Sequence, residues 1–394
     1  MNKKMRYYGK QSSIIRALFE YGNKRKKEIG EENVFDFSIG NPNVSCPEIV
    51  SKTLISLIKH ENPVTLHSYS SAVGYIDSRE AIVNYLNQTY QVSLSSKYIY
   101  LTSGASSAIV IALNAILNKN DEVIVFTPFF PEYKIFVNKA GGKLISVQTT
   151  NQFYPDFDDF KKRINKRTKL VIINTPNNPT GVVYPQEVIC QLASILNEAQ
   201  NQYHHSIYLL SDEPYREIIY DNVSFPFITN FYKNSMIAYS FSKSLSLPGE
   251  RIGYLLLNNQ CKRVNDVFAS ICGAARAMGY VCESTLFQKM VPYCLGNFAD
   301  LSIYKENRDY LYQQLVNIGY ELIYPKGAFY LFMKALEEDA IAFMEVAKKY
   351  ELLIVPSDSF GVKSYVRISY CVSFEQIKKA IPAFKKLYQH YKGE

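Results

Sequence analysis

Short runs of β-branched and aromatic residues alternate with helix-length segments from about residue 98 onward. This alternation is typical of a mostly parallel sheet with helices on both faces, because two parallel strands need a long crossover between them. The pattern predicts seven strands, at 98–102, 123–127, 143–147, 169–174, 207–212, 236–241 and 253–257. It also predicts intervening helices at 105–118, 131–140 and 185–199. We therefore expect an α/β fold with a mostly parallel, seven-stranded sheet sandwiched by helices.

A smaller α+β domain is predicted at the C-terminal end. Beyond residue 260 a helical stretch runs with few breakers to about residue 318. The remainder mixes strand and helix patterns and ends in an amphipathic tail at 374–391. The chain of 394 residues is also too long for one small core. We predict three parts: a segment 1–40 that joins the small domain, a large domain 41–300 and a small domain 301–394.

Composition and charge argue against several classes of protein. Hydrophobic residues form 47% of the chain and charged residues 20%, which supports a packed core and gives no sign of disorder. The net charge of +8 is mild, and the densest basic run, "KKRINKR", is interpreted as the solvated end of a helix rather than a nucleic-acid patch. Seven cysteines without a C-x-x-C pair argue against a disulfide scaffold or a zinc site. Without a signal peptide or membrane-length apolar run, we expect a soluble cytoplasmic protein.

Four polar loops follow predicted strands, at the edge where an open α/β sheet binds its ligand. In "TSGASSA" the backbone N–H groups of Ala105 and Ser106 form an anion seat, and Gly104 permits close approach. Taken alone, such a glycine turn is more often only a helix start. The second loop, "NTPNNPTG", is rich in amides that need partners if they are buried. The chain contains neither a G-x-G-x-x-G fingerprint nor a P-loop.

The other two loops carry opposite charges at the same sheet edge. The loop "SDEPYRE" places Asp212 at the end of a buried strand, where a carboxylate needs a permanent cationic partner. The loop "SFSKSLSLPGERIG" places Lys243 after the next strand, with Ser240, Ser242 and Arg251 as donors suited to a phosphate. A lone lysine is usually a solvated surface amine, but that interpretation does not account for four coincident loops. One ligand satisfies all four: pyridoxal 5′-phosphate, a pyridine ring with an aldehyde and a phosphate arm.

The motifs "NNPTG", "SDEPY", "SFSKSLSLPGERIGY" and "YVRIS" occur in an order that resembles the fold-type I pyridoxal-phosphate enzymes, specifically the class I/II aminotransferases related to aspartate aminotransferase. The resemblance covers about residues 35 to 390. It implies that Lys243 is the Schiff-base lysine and general acid/base, and that Asp212 binds the pyridine nitrogen. It implies that Tyr215 and Asn178 bind the phenolic oxygen of the ring. The implied phosphate ligands are Gly104, Ala105, Ser106, Ser240, Ser242 and Arg251.

Two aromatic residues also receive roles from the resemblance. Phe130, in "PFFPEY", falls where the family stacks an aromatic ring on the cofactor, often a tryptophan. Phenylalanine keeps the π-face, so the stacking should survive. Tyr69 matches the tyrosine that crosses a dimer interface to the neighbour's phosphate. A homodimer with shared active sites is therefore implied.

The substrate contacts implied by the resemblance centre on Arg367, in "YVRISY", which resembles the arginine that clamps the α-carboxylate. The backbone of Gly40 and the side chain of Asn178 are implied to assist it. The local pattern agrees, because strand alternation separates this arginine from its apolar neighbours and its rigid fork suits a carboxylate. Without the resemblance, an arginine in a strand usually faces water at a sheet edge.

Arg276 leaves the substrate class open. It stands 33 positions after Lys243, close to where aspartate-specific relatives carry an arginine that binds the side-chain carboxylate of the substrate across the interface. If the match holds, dicarboxylic amino acids are favoured. An arginine on a helix surface or in an interface is an equal alternative, and it would leave an aromatic or broad-specificity pocket open.

The implied reaction is transfer of an amino group from an L-amino acid, with aspartate or glutamate favoured, to a 2-oxo acid. Other chemistry of the same fold, namely a C–S or β-lyase, a decarboxylase or a racemase, would use nearly the same cofactor residues and stays an alternative. A regulator with a DNA-binding head would need a winged helix, which a leader of about 35 residues cannot contain. The missing glycine fingerprint argues against a nicotinamide dehydrogenase.

Overall fold

The computed structural model describes residues 1–10 and 13–393. Its α-helices, in chain order, are α1 Lys3–Lys10, α2 Ile14–Ile29, α3 Glu48–His60, α4 Pro63–His67, α5 Ile76–Tyr90, α6 Ala105–Ile116, α7 Glu132–Lys139, α8 Phe157–Arg163, α9 Gln186–Tyr203, α10 Phe241–Ser244, α11 Val264–Met278, α12 Thr285–Cys294, α13 Ser302–Ile318, α14 Ala340–Lys348 and α15 Phe374–Lys392. Its strands are β1 Phe35–Asp36, β2 Ile99–Thr102, β3 Glu122–Phe126, β4 Lys143–Val147, β5 Thr168–Asn174, β6 Tyr208–Asp212, β7 Ser235–Ser240, β8 Gly253–Leu257, β9 Tyr330–Lys334, β10 Leu352–Leu353, β11 Val355–Pro356 and β12 Tyr365–Ser369.

The central sheet contains the seven predicted strands in the order β2-β8-β7-β6-β5-β3-β4. Each observed strand end lies within one residue of its predicted position. The pairs β7/β6, β6/β5, β5/β3 and β3/β4 are parallel, whereas β8 is antiparallel to both of its neighbours. The predicted α/β fold with a mostly parallel sheet is therefore confirmed.

Alternate residues of the central strands enter two different cores, because successive side chains of a strand point to opposite faces. Val171 and Ile237 lie in the core that contains residues of α3, α5, α9 and α12. Their neighbours Ile172 and Met236 lie in the core that contains residues of α6, α7 and α11. Helices therefore cover the sheet on both faces, as the alternation of strand and helix patterns predicted.

A second group of elements contains a three-stranded antiparallel sheet, in the order β11-β12-β9, and a core shared with α13, α14 and α15. The N-terminal segment reaches this group, since β1 pairs in parallel with β10 through Phe35 and Leu352. The sequence pattern suggested a helical stretch with few breaks beyond residue 260. The structure instead divides this stretch into α11, α12 and α13. Gly279, with a φ of 78°, ends α11, and Gly296, with a φ of 77°, lies between α12 and α13. Glycine adopts this left-handed conformation without steric cost, which explains both breaks.

Within residues 1–10 and 13–393, no helix has both the length and the hydropathy that a membrane span requires. The same residues contain no cluster of three or more His, Cys, Asp or Glu side chains that could hold a metal ion.

Candidate active site

A cavity of about 280 Å³ lies at the carboxyl ends of the central strands. The parallel register brings the predicted loops together there, because Asn174 pairs with Asp212 and Asp212 pairs with Ala238 of the next strand. Most of the predicted site residues line this cavity: Gly40, Ala105, Ser106, Phe130, Asn178, Asp212, Tyr215, Ser240, Ser242, Lys243, Arg251 and Arg367. Its volume lies near the lower end of the range of about 300–1,000 Å³ for small-molecule sites.

Lys243 is the amine of the cavity. Strand β7 ends at Ser240, and the short helix α10 that follows directs Lys243 towards the N-terminal segment of the chain. Its Nζ donates a hydrogen bond to the backbone oxygen of Gly40 at 2.6 Å. Burial lowers the pKa of Lys243 to about 8, and the positive charge of Arg251 acts in the same direction. The amine is therefore more readily deprotonated than a surface lysine, as a nucleophile or a general base requires.

Asp212, the last residue of β6, is buried and only half satisfied. Its Oδ2 accepts a hydrogen bond of 2.5 Å from the hydroxyl of Tyr133 on α7. Its buried Oδ1 has no hydrogen-bond partner in the described part of the chain. Burial raises the pKa of Asp212 to about 7, although the bond from Tyr133 acts in the opposite direction. The protein therefore holds a carboxylate oxygen in the cavity wall that a cationic or hydrogen-bond-donating ligand group would satisfy.

One end of the cavity is rich in donors that suit an anion. The hydroxyls of Ser240 and Ser242 lie 2.7 Å apart, and Nη1 of Arg251 lies 3.4 Å from Ser242 Oγ. Helix α6 begins beside them at Ala105, directly after Gly104, which has a φ of 80°. A Cβ at Gly104 would lie 2.7 Å from Nη2 of Arg251, so the close approach of the turn to the guanidinium requires glycine. Hydroxyls, a guanidinium and a helix N-terminus together form a phosphate-binding arrangement.

A second cation lies elsewhere in the cavity. Arg367, on β12, donates from Nη1 to Asn178 Oδ1 at 3.1 Å and from Nη2 to the backbone oxygen of Ser38 at 2.5 Å. Its guanidinium lies 4.7 Å from the ring centroid of Tyr330. Its Nε, although buried, has no hydrogen-bond partner among the residues described. The guanidinium is therefore held in place by the protein and still has a free donor for a carboxylate.

Aromatic and apolar side chains complete the wall. Phe130 lines the cavity, and its ring meets that of Tyr133 edge to face at 5.6 Å. Ile15 of α2 and Ile109 of α6 also line the cavity. The hydroxyl of Tyr215 lies 2.7 Å from that of Tyr330. The cavity thus combines an amine, a carboxylate, an anion seat, a carboxylate clamp and a flat apolar wall.

Comparison with known proteins identifies the family. The family described as "Aminotransferase class I and II" matches residues 32–384. The chain belongs to this family. A solved structure of an aminotransferase from Eubacterium rectale is 48% identical, covers 99% of each chain and has a TM-score of 0.97.

Two named relatives from other organisms are less similar to this chain. A "Probable aspartate aminotransferase" of Methanocaldococcus jannaschii is 29% identical, with 96% of this chain and 97% of the relative covered. An "Aromatic-amino-acid aminotransferase 2" of Thermococcus litoralis is 27% identical, with 96% of each covered. The family membership confirms the resemblance inferred from the four motifs and the prediction of a transaminase, an enzyme that acts on amino and 2-oxo acids.

The residues of this aminotransferase fit pyridoxal 5′-phosphate, the cofactor that its family uses. The orphaned Oδ1 of Asp212 suits a protonated ring nitrogen, since a buried carboxylate is stabilised by a paired cation. The donor-rich end of the cavity suits the phosphate, and Lys243 supplies an amine for the aldehyde. The chemistry of the cavity therefore matches the ring nitrogen, the phosphate and the aldehyde of the cofactor.

Three predicted site residues of the aminotransferase do not line the cavity. Gly104 lies directly behind it, as its contact with Arg251 shows. The side chain of Tyr69 is 92% exposed, and Arg276 lies on the exposed side of the last turn of α11. Both were predicted to act across a dimer interface, so their roles stay predictions.

Sequence reasoning missed several residues of the site. Tyr133 is part of the quoted motif "PFFPEY", and its position one helical turn after Phe130 could have indicated it. Asn174 also begins a quoted loop, and its Nδ2 donates to the backbone oxygen of Asp212 at 2.8 Å. Ile15 and Tyr330 gave no signal, because they belong to an amphipathic helix and an apolar strand far from the motifs.

Proposed function

We propose that this aminotransferase binds pyridoxal 5′-phosphate through a covalent bond to Lys243 and transfers an amino group from an L-amino acid to a 2-oxo acid. The observation that carries the proposal is the buried, unsatisfied Oδ1 of Asp212 in the cavity that Lys243 lines. In the proposed complex Asp212 holds the ring nitrogen protonated, and Tyr215 with Asn178 binds the phenolic oxygen. The donors of Ser240, Ser242 and Arg251, with Gly104, Ala105 and Ser106 at the start of α6, hold the phosphate, and Phe130 covers the ring.

The bound cofactor supplies an electron sink for the bond broken at the substrate Cα. With the cofactor bound, the Nζ of Lys243 would take the proton from the substrate Cα, a role that its lowered pKa of about 8 favours. Asp212 would hold the proton on the ring nitrogen. Arg367 orients the α-carboxylate, assisted by Asn178 and the backbone of Gly40, which fixes the Cα–H bond relative to Lys243.

We propose aspartate or glutamate as the favoured donor, because relatives across almost the whole chain are named aspartate aminotransferases. An arginine from a second protomer, Arg276, would bind the distal carboxylate. A second candidate is an aromatic or broad range of donors. The lining of the cavity favours this second candidate. Its described cations, Lys243, Arg251 and Arg367, each have a role other than binding a distal carboxylate, and its wall includes the apolar Ile15 and Ile109.

The proposed assembly is a homodimer in the cytoplasm. Its support is the 92% exposure of Tyr69, an aromatic side chain that would otherwise lie in water. In the dimer Tyr69 would reach the phosphate of the neighbouring subunit. Sedimentation of the purified protein tests the assembly, and a monomer would contradict it.

The test of the cofactor assignment is the visible absorption of purified protein loaded with pyridoxal 5′-phosphate. Wild-type protein should show a band in the visible range that Lys243→Ala shifts or removes. Lys97→Ala, which changes an exposed lysine bonded to Asn265, should keep the wild-type spectrum and controls for labelling of surface amines. A colourless wild-type protein, or a Lys243→Ala variant with an unchanged spectrum, would refute the assignment.

The donor is identified by adding L-amino acids one at a time and following the loss of the band. Aspartate or glutamate should respond; a response to phenylalanine or tyrosine alone would establish the second candidate. Product analysis with and without 2-oxoglutarate separates transamination from lyase chemistry, because a lyase turns over without an acceptor. Turnover that continues without 2-oxoglutarate would contradict transamination as the main reaction.

A further inference from the structure

Tyr330, the first residue of β9, lies where three parts of the candidate site meet. Its side chain is 2% exposed. Its hydroxyl lies 2.7 Å from the hydroxyl of Tyr215, and its ring lies 4.7 Å from the guanidinium carbon of Arg367. One side chain therefore contacts the candidate ligand of the cofactor's phenolic oxygen and the candidate clamp of the substrate carboxylate.

The backbone of Gly40 forms the third contact. A Cβ at this position would lie 2.1 Å from the hydroxyl oxygen of Tyr330, so the approach of the tyrosine is possible only beside a glycine. The carbonyl of Gly40 accepts the hydrogen bond from Lys243. The rings of Tyr215 and Tyr330 meet edge to face at 5.6 Å, which fixes their relative orientation. The hydroxyl of Tyr330 is thus confined on several sides rather than free to rotate into solvent.

The direction of the hydrogen bond follows from the proposed function. If Tyr215 donates its proton to the phenolic oxygen of the cofactor, its own oxygen can only accept from Tyr330. Burial raises the pKa of Tyr330 to about 12, although the positive charge of Arg367 acts in the opposite direction. Tyr330 therefore stays protonated at neutral pH and is able to donate a hydrogen bond to Tyr215. A donor in this position polarises Tyr215 and strengthens the next bond in the chain.

We propose that Tyr330 is a positioning residue of the transaminase, with two separable parts. Its hydroxyl holds Tyr215 as a hydrogen-bond donor to the cofactor, and its ring holds the guanidinium of Arg367 in the orientation that binds the substrate carboxylate. This inference rests on the proposed function, because it assigns the partners of Tyr215 and Arg367 from it.

Two variants separate the hydroxyl from the ring. Tyr330→Phe removes the hydroxyl and keeps an aromatic face under Arg367. Tyr330→Leu removes both. Tyr232→Phe is the matched control, because Tyr232 is also 2% exposed and donates its hydroxyl to a backbone oxygen, that of Ile207, but does not line the cavity.

The first readout is the pH midpoint at which the visible band of each loaded protein changes in the absence of substrate. Without the hydroxyl of Tyr330, Tyr215 donates a weaker hydrogen bond to the phenolic oxygen of the cofactor. The negative charge of that oxygen is then less stabilised, so the proton that it shares is retained to higher pH. Tyr330→Phe should raise the midpoint by about half a pH unit, the size expected for the loss of cooperative strengthening in such a chain. Tyr232→Phe should titrate as the wild type does.

The second readout is the KM for the 2-oxo acid. Tyr330→Phe should leave this KM within about twofold of wild type, whereas Tyr330→Leu should raise it about fivefold, the effect of losing one cation–π contact. A role in folding alone would move the thermal midpoint without moving either the titration or the KM in this pattern.

The outcomes distinguish the two proposals. A wild-type protein without a visible band would overturn the proposed function itself. A normal wild-type band together with Tyr330→Phe and Tyr232→Phe proteins that titrate like the wild type would overturn the role of the Tyr330 hydroxyl. A Tyr330→Leu protein whose KM for the 2-oxo acid stays within about twofold of wild type would overturn the role of its ring. Should Tyr330→Leu fail to fold, Tyr330→Met takes its place in the KM measurement, and the titration of Tyr330→Phe still decides the role of the hydroxyl.

Discussion

Replacement of Asp212 by asparagine tests whether the fold holds a carboxylate in reserve for a cationic ligand. In the cofactor-free protein, burial raises the pKa of Asp212 from its usual 3.8 to about 7. This gap corresponds to about 4 kcal/mol, because each pH unit of pKa difference equals about 1.4 kcal/mol. Since the folded-state pKa is the higher one, the stability that protonated Asp212 contributes is complete below about pH 3.8 and is lost as the pH rises through about 7.

The asparagine side chain is uncharged at every pH, so cofactor-free Asp212→Asn protein should be more stable than wild type by a margin that grows with pH. Between pH 5 and pH 8 this margin should widen by about 3 kcal/mol. Urea unfolding of both cofactor-free proteins at pH 5, 6.5 and 8 measures it. Burial also raises the pKa of Glu213 to about 7, but that carboxyl is present in both proteins and cancels in the comparison. A margin that does not change with pH would refute the buried, unpaired state of Asp212.

The cofactor should stabilise wild type more than Asp212→Asn. When the protonated ring nitrogen pairs with Asp212, the ionised carboxylate gains the partner that the chain lacks, whereas asparagine gains only a neutral contact. Excess pyridoxal 5′-phosphate at pH 8 should therefore raise the free energy of unfolding more for wild type than for Asp212→Asn. Equal stabilisation of the two proteins would contradict the assignment of Asp212 to the ring nitrogen.

Three further predictions follow from the same geometry. Burial lowers the pKa of Lys243 to about 8, so the rate at which cofactor-free protein recombines with pyridoxal 5′-phosphate should rise with pH about a midpoint near 8. The appearance of the visible band measures this rate, and a rate that rises only near pH 10 would contradict the prediction. Gly104→Ala, which forces a Cβ to within 2.7 Å of Arg251 at a φ of 80°, should weaken cofactor binding about tenfold in equilibrium dialysis, and unchanged binding would argue against a phosphate seat there. Arg276→Ala should raise the KM for aspartate about tenfold or more, because a charged contact is lost, and should leave the KM for phenylalanine unchanged. Equal effects on both donors would exclude a role of Arg276 in binding the distal carboxylate.

The sheet was predictable because its strands carry their own signal. The run at 253–257 has the predicted bounds and is buried throughout, as expected of a continuous apolar segment covered on both faces of a sheet. The helices beyond residue 260 were predicted less well. The stretch from residue 260 to 318 contains few breakers, and the left-handed backbone conformation of Gly279 and Gly296 shows where the chain leaves the helices.

The site was predictable where strand ends supply the chemistry. Asp212 ends β6 and Lys243 follows the neighbouring β7, so the parallel register alone brings them to one sheet edge. Tyr133 and Tyr330 were not predictable in the same way. Tyr133 reaches Asp212 from a helix, and Tyr330 belongs to a different sheet whose position depends on tertiary packing. The roles of Tyr69 and Arg276 depend on a second protomer and stay predictions, as do the predicted domain bounds.

The sequence required a permanent cation beside Asp212, and the described chain supplies a neutral hydroxyl instead. Tyr133 satisfies one carboxylate oxygen. Burial raises the pKa of that tyrosine well above its usual range, so its neutral hydroxyl donates a hydrogen bond without supplying positive charge. The second oxygen stays unsatisfied within the described residues. A ligand with a neutral ring would leave the free-energy cost of the buried, ionised Asp212 unchanged. A ring nitrogen that carries a proton would remove this cost by pairing with the carboxylate. A heterocycle bound beside Asp212 would therefore be favoured in its protonated form, which is the form that withdraws electrons from the substrate Cα.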